Sequence, residues 1–186
     1  MRIKYHIACF FIKYVYRWKF IGQFPNDLKK FVLIGGPHTS NHDFFIGLFT
    51  KWYFGANFHF VGKKSLFTFP LGIFLKALGG VPIDRSKSQG FVDAVVGVFN
   101  QKKQFVLAIS PEGTRKQVAR WKTGFYHIAK MANVPVVTMT FDFGNRQTEF
   151  FEPFYPTEDK DADINYLKSL IIGVDGKNPE GNFKGE

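Results

Sequence analysis

The chain alternates short runs of apolar residues with longer segments in which apolar residues recur every three or four positions. Short apolar runs bounded by Gly, Pro and polar residues are typical of buried strands, whereas the longer spacing is typical of helices. We predict strands at 31–34, 58–61, 81–83, 104–109, 134–141 and 147–151. We predict helices at 42–54, 70–78, 89–101, 123–132 and 160–172. This alternation indicates a single α/β domain with a largely parallel central sheet flanked by helices.

The first twenty residues carry a different pattern, that of a basic amphipathic helix. On a helix the basic positions would share an arc of about 60°; they are Arg2, His6, Lys13 and Arg17. Apolar and aromatic residues share the neighbouring face, namely Ile3, Ile7, Phe10, Phe11, Tyr14 and Trp18. The pattern favours a helix at residues 1–22 that lies on an anionic membrane surface, and the alternative is a helix packed on the domain. We therefore expect a peripheral protein on the cytoplasmic face of a membrane.

The same segment has the pattern of neither a membrane span nor a signal peptide. Its longest run free of Lys and Arg, 5–12, is far shorter than the ~20 apolar residues that a bilayer requires. No small-residue cleavage site follows the apolar part. The formal net charge of +10 favours anionic partners. Because no nucleic-acid-binding module is recognisable, we expect lipid or phosphorylated metabolites rather than nucleic acid.

Candidate chemistry is concentrated after the first predicted strand, in the run GGPHTSNHD at 35–43. His38 and Asp43 are five residues apart, so in a continuous helix they would point about 140° away from each other. The preceding Gly-Gly-Pro breaks the chain, however, and a helix that starts at Ser40 or Asn41 would let His38 fold back onto Asp43. A carboxylate on one imidazole nitrogen fixes the tautomer and leaves the other nitrogen as a base.

Two other interpretations of this run stay open. Asp43 could merely satisfy backbone donors at a helix start, since Ser40 precedes it by three residues, and this role is compatible with catalysis. Alternatively, His38 and His42 have the i, i+4 spacing of a two-histidine metal site. The metal interpretation requires a continuous helix and a further ligand, and the sequence supplies no local cluster. We therefore expect no metal.

Several motifs, taken together and in order, resemble those of the glycerophospholipid acyltransferases, the lysophosphatidic acid acyltransferase (PlsC-like) superfamily. The run HTSNHD at 38–43 matches the HX4D motif, and EGTR at 112–115 matches the second characteristic motif. GGVPIDR at 79–85, WKTG at 121–124 and VPVV at 134–137 are similar to three further segments. The resemblance covers about residues 30–150, with Pro37 where the family commonly has Asn.

The resemblance implies acyl transfer from acyl-CoA or acyl carrier protein to the hydroxyl of a phosphorylated glycerol or lysolipid. No resident cofactor is implied, since the thioester is a co-substrate. His38 would be the general base, held by Asp43. The implied substrate-binding residues are Arg85, Glu112, Gly113, Thr114, Arg115 and Lys122. The acyltransferase domain would span 23–173, and the alternative is a non-catalytic lipid-binding protein of the same fold.

Within the implied site, Arg115 and Arg85 are the candidates for binding the acceptor phosphate, because a guanidinium offers bidentate hydrogen bonds to its oxygens. Lys122 would add a less directional charge. Glu112 would belong to the acceptor site by resemblance, ordering Arg115 or a glycerol hydroxyl.

Two segments remain. The apolar run at 65–75 fits an acyl-chain groove, a membrane-dipping segment or a buried core helix, and the sequence does not choose among them. Residues 174–186 are rich in Gly, Lys, Asn and Glu, and we expect them to form a frayed polar tail.

Overall fold

A five-stranded parallel sheet forms the centre of the molecule in the computed structural model, which describes residues 2–83 and 88–185. Its strands are β2 (Lys30–Gly36), β3 (Phe58–Lys63), β4 (Gly80–Ile83), β5 (Phe105–Ile109) and β6 (Val136–Thr140). Their order across the sheet is β4-β3-β5-β2-β6. The predicted α/β fold with a parallel sheet is confirmed, because all four pairings between these five strands are parallel.

Six α-helices accompany the strands of the described chain. They are α1 (Arg2–Phe10), α2 (His42–Tyr53), α3 (Leu71–Ala77), α4 (Ser88–Gln101), α5 (Gly124–Met131) and α6 (Lys160–Ser169). Successive side chains of a strand point to opposite faces, so Val32 and Ile34 of β2 pack with α4, α5 and α6, whereas Phe31 and Leu33 pack with α1 and α2. The sheet is therefore covered on both faces.

A second, two-stranded sheet was not predicted. It pairs β1 (Lys19–Ile21) with β7 (Gln147–Glu149) in parallel. The strand expected at 147–151 therefore exists but belongs to this small sheet. β1 escaped prediction because three residues with exposed ends give too short a pattern. Trp18, just before β1, is buried and donates a hydrogen bond from Nε1 to Thr148 Oγ1 at 3.0 Å.

The N-terminal segment is helical, but the helix ends at Tyr16 rather than at residue 22, and it packs on the domain through one side while most of its predicted apolar face stays exposed. α1 ends at Phe10 and continues as a π-helical segment, Phe11–Tyr16. Ala8 and Ile12 are the buried residues, and Phe11 stacks on Phe49 with ring centroids 4.7 Å apart. Phe11 and Trp18 were therefore wrongly assigned to the outward apolar face.

The rest of that apolar face is exposed, namely Ile3, Ile7, Phe10 and Tyr14. All four basic positions (Arg2, His6, Lys13 and Arg17) are exposed as well. Among the helices of the described chain, each one falls short of the length and apolar character that crossing a bilayer would take.

Burial excludes one interpretation of the run at 65–75 and overturns the prediction for the C-terminal residues. The run at 65–75 is not a buried core helix, because Phe69 is 87% exposed and Phe74 of α3 is 66% exposed. The expected frayed tail is wrong, since Phe183 is only 3% exposed and packs on Trp121 with ring centroids 5.5 Å apart. A short 3₁₀ turn, Pro179–Gly181, lies just before Phe183.

Candidate active site

The two principal motifs leave the same edge of the sheet. β2 and β5 are neighbours, and Ile34 is in register with Ile109. His38 follows Ile34 by four residues, and Glu112 follows Ile109 by three. Because the carboxyl ends of parallel strands meet at one edge, the turn after β2 and the loop after β5 are brought into contact.

His38 and Asp43 form the predicted pair. His38 Nδ1 lies 2.9 Å from Asp43 Oδ2, and the two side chains are 23% and 1% exposed. α2 begins only at His42, so His38 stands in the turn before the helix and reaches back to Asp43. The continuous helix that a His38–His42 metal pair would need is not formed.

Asp43 also holds the turn itself. Its Oδ2 accepts hydrogen bonds from the backbone N–H groups of Thr39 and Ser40, both at 2.8 Å. Ser40 Oγ accepts a further bond from the His42 N–H at 3.2 Å. The helix-start role and the histidine-holding role thus fall to the same carboxylate, which is buried where its bonds are protected from water.

Glu112 takes a place that sequence reasoning did not anticipate. Its side chain is 1% exposed, and both Oε1 and Oε2 lie 3.1 Å from the backbone N of His38, which donates to them. Burial raises the pKa of Glu112 to about 7, while the His38 N–H opposes that rise. Glu112 therefore contacts the backbone of His38.

The remaining EGTR residues form an open loop beside the pair. Gly113 has φ +66°, and a Cβ there would lie 3.0 Å from Lys122 Cδ, so the Lys122 side chain crosses directly over Gly113. The Lys122 N–H donates to the Pro111 carbonyl at 2.8 Å. Thr114 Oγ1 accepts from the Lys116 N–H at 3.4 Å, and Arg115 is exposed. Arg85, the other expected phosphate ligand, lies outside the described residues.

The N-terminal segment also reaches the site. The Tyr16 hydroxyl and His42 Nδ1 are 3.1 Å apart, and the His42 ring lies 6.5 Å from the ring of Phe143. The amphipathic segment is thereby joined to the helix that carries Asp43. In the described part of the chain, His, Cys, Asp and Glu side chains do not gather in threes as a metal site would need.

Sequence reasoning missed one set of contacts altogether. Residues 175–183, which we name the strap, cross the turn after β2. Asn178 donates from its backbone N–H to Thr39 Oγ1 at 3.1 Å and from Nδ2 to the Thr39 carbonyl at 2.9 Å. The one available signal was Phe183, a large apolar residue in an otherwise polar segment.

Known proteins share part of this sequence and its fold. The family model described as Acyltransferase matches residues 19–142 of the chain. The 1-acyl-sn-glycerol-3-phosphate acyltransferase BAT2, chloroplastic, of Brassica napus is 32% identical over 108 residues, which are 55% of this chain and 31% of that protein. The corresponding LPAT1 enzyme of Arabidopsis thaliana is 31% identical over 108 residues, 55% of this chain and 30% of that one.

The chain thus spans about a third of the length of the curated relatives it matches. A solved structure, the 1-acyl-sn-glycerophosphate (LPA) acyltransferase PlsC from Thermotoga maritima, superposes with a TM-score of 0.61 at 16% identity. The superposition covers 89% of this chain and 76% of that one, and it shows that the fold is shared.

Proposed function

The chain belongs to the Acyltransferase family, and we propose that it moves a fatty acyl group from a thioester to the hydroxyl of a phosphorylated glycerol or lysolipid. The observation that carries the proposal is the 2.9 Å contact between His38 Nδ1 and buried Asp43 Oδ2, in a turn that adjoins the EGTR loop. Relatives named as 1-acyl-sn-glycerol-3-phosphate acyltransferases make lysophosphatidic acid the first acceptor to test.

The proposed reaction uses His38 as general base. With Nδ1–H donated to Asp43, Nε2 takes the proton of the acceptor hydroxyl as that oxygen attacks the thioester carbonyl. The tetrahedral intermediate collapses with cleavage of the C–S bond, and the imidazolium returns its proton to the departing thiolate. Asp43 stabilises the imidazolium between these steps. The products are an ester and a free thiol, so no oxidant, metal or resident cofactor is required for balance.

In this proposal the acceptor phosphate is bound by basic side chains in and beside the EGTR loop. Arg115 offers planar bidentate hydrogen bonds, and the Lys122 side chain crosses Gly113 next to it. Arg85 is proposed as a further phosphate ligand only because it ends the GGVPIDR motif at 79–85.

Membrane attachment is proposed for the N-terminal segment. The exposed side chains of Ile3, Phe10 and Tyr14 would insert among lipid headgroups while the exposed basic residues pair with anionic lipid. The Tyr16–His42 contact supports a site held close to the lipid surface from which acceptor and acyl chain come. The cytoplasmic face of a membrane fits a reaction that uses CoA or carrier-protein thioesters.

Acyl transfer from radiolabelled acyl-CoA and acyl carrier protein tests the proposal. The acceptor panel is lysophosphatidic acid, other lysolipids and glycerol 3-phosphate, presented with vesicles. Wild type, His38→Ala and the matched control His127→Ala, an exposed histidine of α5, are compared. A positioned base contributes typically ~10²–10⁴-fold, so His38→Ala should lose that factor while His127→Ala keeps wild-type turnover.

Labelled lipid formed by the wild type and the control alone would establish the reaction and identify the acceptor. Equal product from wild type and His38→Ala would overturn the assigned base. Vesicle binding without product from any donor and acceptor would favour the non-catalytic lipid-binding alternative.

A further inference from the structure

The strap is a closed loop held by its own hydrogen bonds. The Gly176 N–H donates to Asn182 Oδ1 at 3.0 Å, and the Gly181 N–H donates to the Asn178 carbonyl at 2.9 Å. At its first residue, the Asp175 carbonyl accepts from the Phe143 N–H at 2.7 Å. At its last residue, Phe183 is buried against Trp121. Because both ends are anchored, the loop presents Asn178 in a fixed position.

Asn178 donates two hydrogen bonds to Thr39. Its backbone N–H reaches Thr39 Oγ1, and its amide Nδ2 reaches the Thr39 carbonyl. Two donors from one residue to one residue define an orientation as well as a distance. Thr39 is 3% exposed, so its two acceptor oxygens are shielded from bulk water, whereas Asn178 itself is exposed.

Thr39 in turn belongs to the network that orients the base. Its N–H donates to Asp43 Oδ2 at 2.8 Å, the same oxygen that holds His38 Nδ1. The neighbouring His38 N–H is held by Glu112. A displacement of Thr39 would therefore shift the Asp43 carboxylate, which holds the imidazole of His38.

The strap also touches the second motif. A Cβ at Gly181 would lie 2.9 Å from the Arg115 carbonyl oxygen and 3.3 Å from Thr39 Cγ2, so this residue fits between both loops only as glycine. The match to the family model ends at residue 142, well before the strap. The contact with the two motifs is thus made by a part of the chain that the family model does not cover.

We propose that Asn178 is a positioning residue, which holds the Thr39 turn so that Asp43 fixes His38 in its productive orientation. The expected effect on kcat rests on the proposed acyl transfer. The expected effect on the orientation of His38 rests on the geometry alone. Asn178 itself touches Thr39 and acts through it.

The kinetic test compares Asn178→Ala with Asn100→Ala, an exposed asparagine of α4, in the full chain. Misplacement of a catalytic group by about 1 Å can cost ~10²-fold, and we expect a kcat reduction of about 10- to 100-fold for Asn178→Ala. KM for lysophosphatidic acid should stay within about threefold, because uniform binding is unchanged. Asn178→Asp, which keeps the size but loses the Nδ2 donor, should be as impaired as Asn178→Ala.

A double-mutant cycle with Thr39→Val assigns the effect to the pair. Asn178→Ala removes the Nδ2 bond to the Thr39 carbonyl, whereas Thr39→Val removes the Oγ1 that accepts the Asn178 backbone N–H, and both bonds hold the same turn. Substitutions that loosen one shared backbone segment are non-additive, so Asn178→Ala should reduce kcat less in the Thr39→Val background than in the wild type. Additive losses would overturn the proposal, as would an increase in KM alone, which would indicate direct contact with the acceptor.

The structural test does not depend on turnover. Histidine labelled with ¹⁵N reports the fraction of His38 that carries its proton on Nδ1, with His38→Ala identifying its signal among the five histidines. We expect this fraction to fall in Asn178→Ala and to be unchanged in Asn100→Ala. If the wild type catalyses no acyl transfer and Asn178→Ala still shows this tautomer shift, the proposed function is overturned and the positioning role stands. An unchanged tautomer in a folded Asn178→Ala protein would overturn the positioning role.

Gly181→Ala is the second variant, for use if Asn178→Ala does not fold. It leaves every hydrogen-bonding side chain in place, and its added methyl group would push the strap away from the Arg115 carbonyl. The same tautomer shift is expected, and Gly97→Ala, whose Cβ would meet nothing within 4 Å, is the matched control. A Gly181→Ala protein with the wild-type tautomer would contradict the proposal.

Discussion

The turn at 37–43 and helix α1 differ in what they leave exposed. In the turn, polar groups are buried and bonded to one another, with Asp43 and Thr39 at 1% and 3% exposure. In α1, large apolar side chains face outward although the helix packs through Ala8. Burial strengthens hydrogen bonds and fixes geometry, whereas an outward apolar face has no partner in the fold. The first arrangement suits chemistry, and the second suits attachment to lipid.

The largest effect should come from breaking the buried network at its centre. Asp43→Ala removes the acceptor of His38 Nδ1 and of two backbone N–H groups. We expect turnover to fall by about 10²–10⁴-fold and the free energy of unfolding to fall by about 1–3 kcal/mol, the cost of a buried donor left unpaired. Acyl-transfer kinetics and chemical denaturation measure the two losses. Asp93→Ala, at an exposed position of α4, should show neither, and an active Asp43→Ala protein would refute the role of the network.

The next effect should separate attachment from chemistry. Full burial of a large apolar side chain contributes about 1.5–3 kcal/mol, so Ile3→Asp with Phe10→Asp should weaken partitioning into anionic vesicles by about a hundredfold or more. Turnover of a soluble short-chain acceptor should stay at the wild-type rate. Vesicle flotation with a parallel kinetic assay measures both. Met131→Asp, at a residue as exposed as Phe10 but on α5, is the control, and equal vesicle binding by all three proteins would exclude α1 as the attachment surface.

The pH dependence of stability tests the buried side of this comparison, because Glu112 is a buried carboxyl group beside the turn. Its pKa is raised from 4.5 to about 7 by burial, so the folded state holds the proton more tightly than the unfolded state does. The contribution of Glu112 to the free energy of unfolding is therefore fully present below pH 4.5, and it is lost as the pH rises through about 7. The expected loss is on the order of 3 kcal/mol from linkage. Chemical denaturation between these pH values should show the decline, and Glu112→Gln should flatten it. A slope that Glu112→Gln leaves unchanged would assign the dependence to other groups.

The sequence predicted the parts of the molecule that depend on local pattern. The five core strands and the His38–Asp43 pair follow from apolar runs, from a helix-breaking Gly-Gly-Pro and from side-chain chemistry. The orientation of α1 did not follow, because small Ala8 gives a weaker signal than the aromatic stripe beside it, and packing selected the small residue. Glu112 and His38 are 74 residues apart, and Asn178 and Thr39 are 139 apart. Such contacts are set by the order of strands and by the path of the chain, which periodicity does not encode.

The smallest expected effect lies at the boundary between the two regions. Trp18 ends the N-terminal segment and is anchored by its Nε1 bond to buried Thr148. Thr148→Val keeps the volume but leaves the indole N–H unpaired, which should lower the free energy of unfolding by about 1–2 kcal/mol. Turnover and vesicle partitioning should match the wild type, because the exposed face of α1 and the network at Asp43 are both retained. Chemical denaturation and flotation on the same samples measure this, with Thr68→Val, an exposed threonine, as the control. Loss of vesicle binding in Thr148→Val alone would mean that the small sheet holds α1 in its outward orientation, and that attachment depends on the core after all.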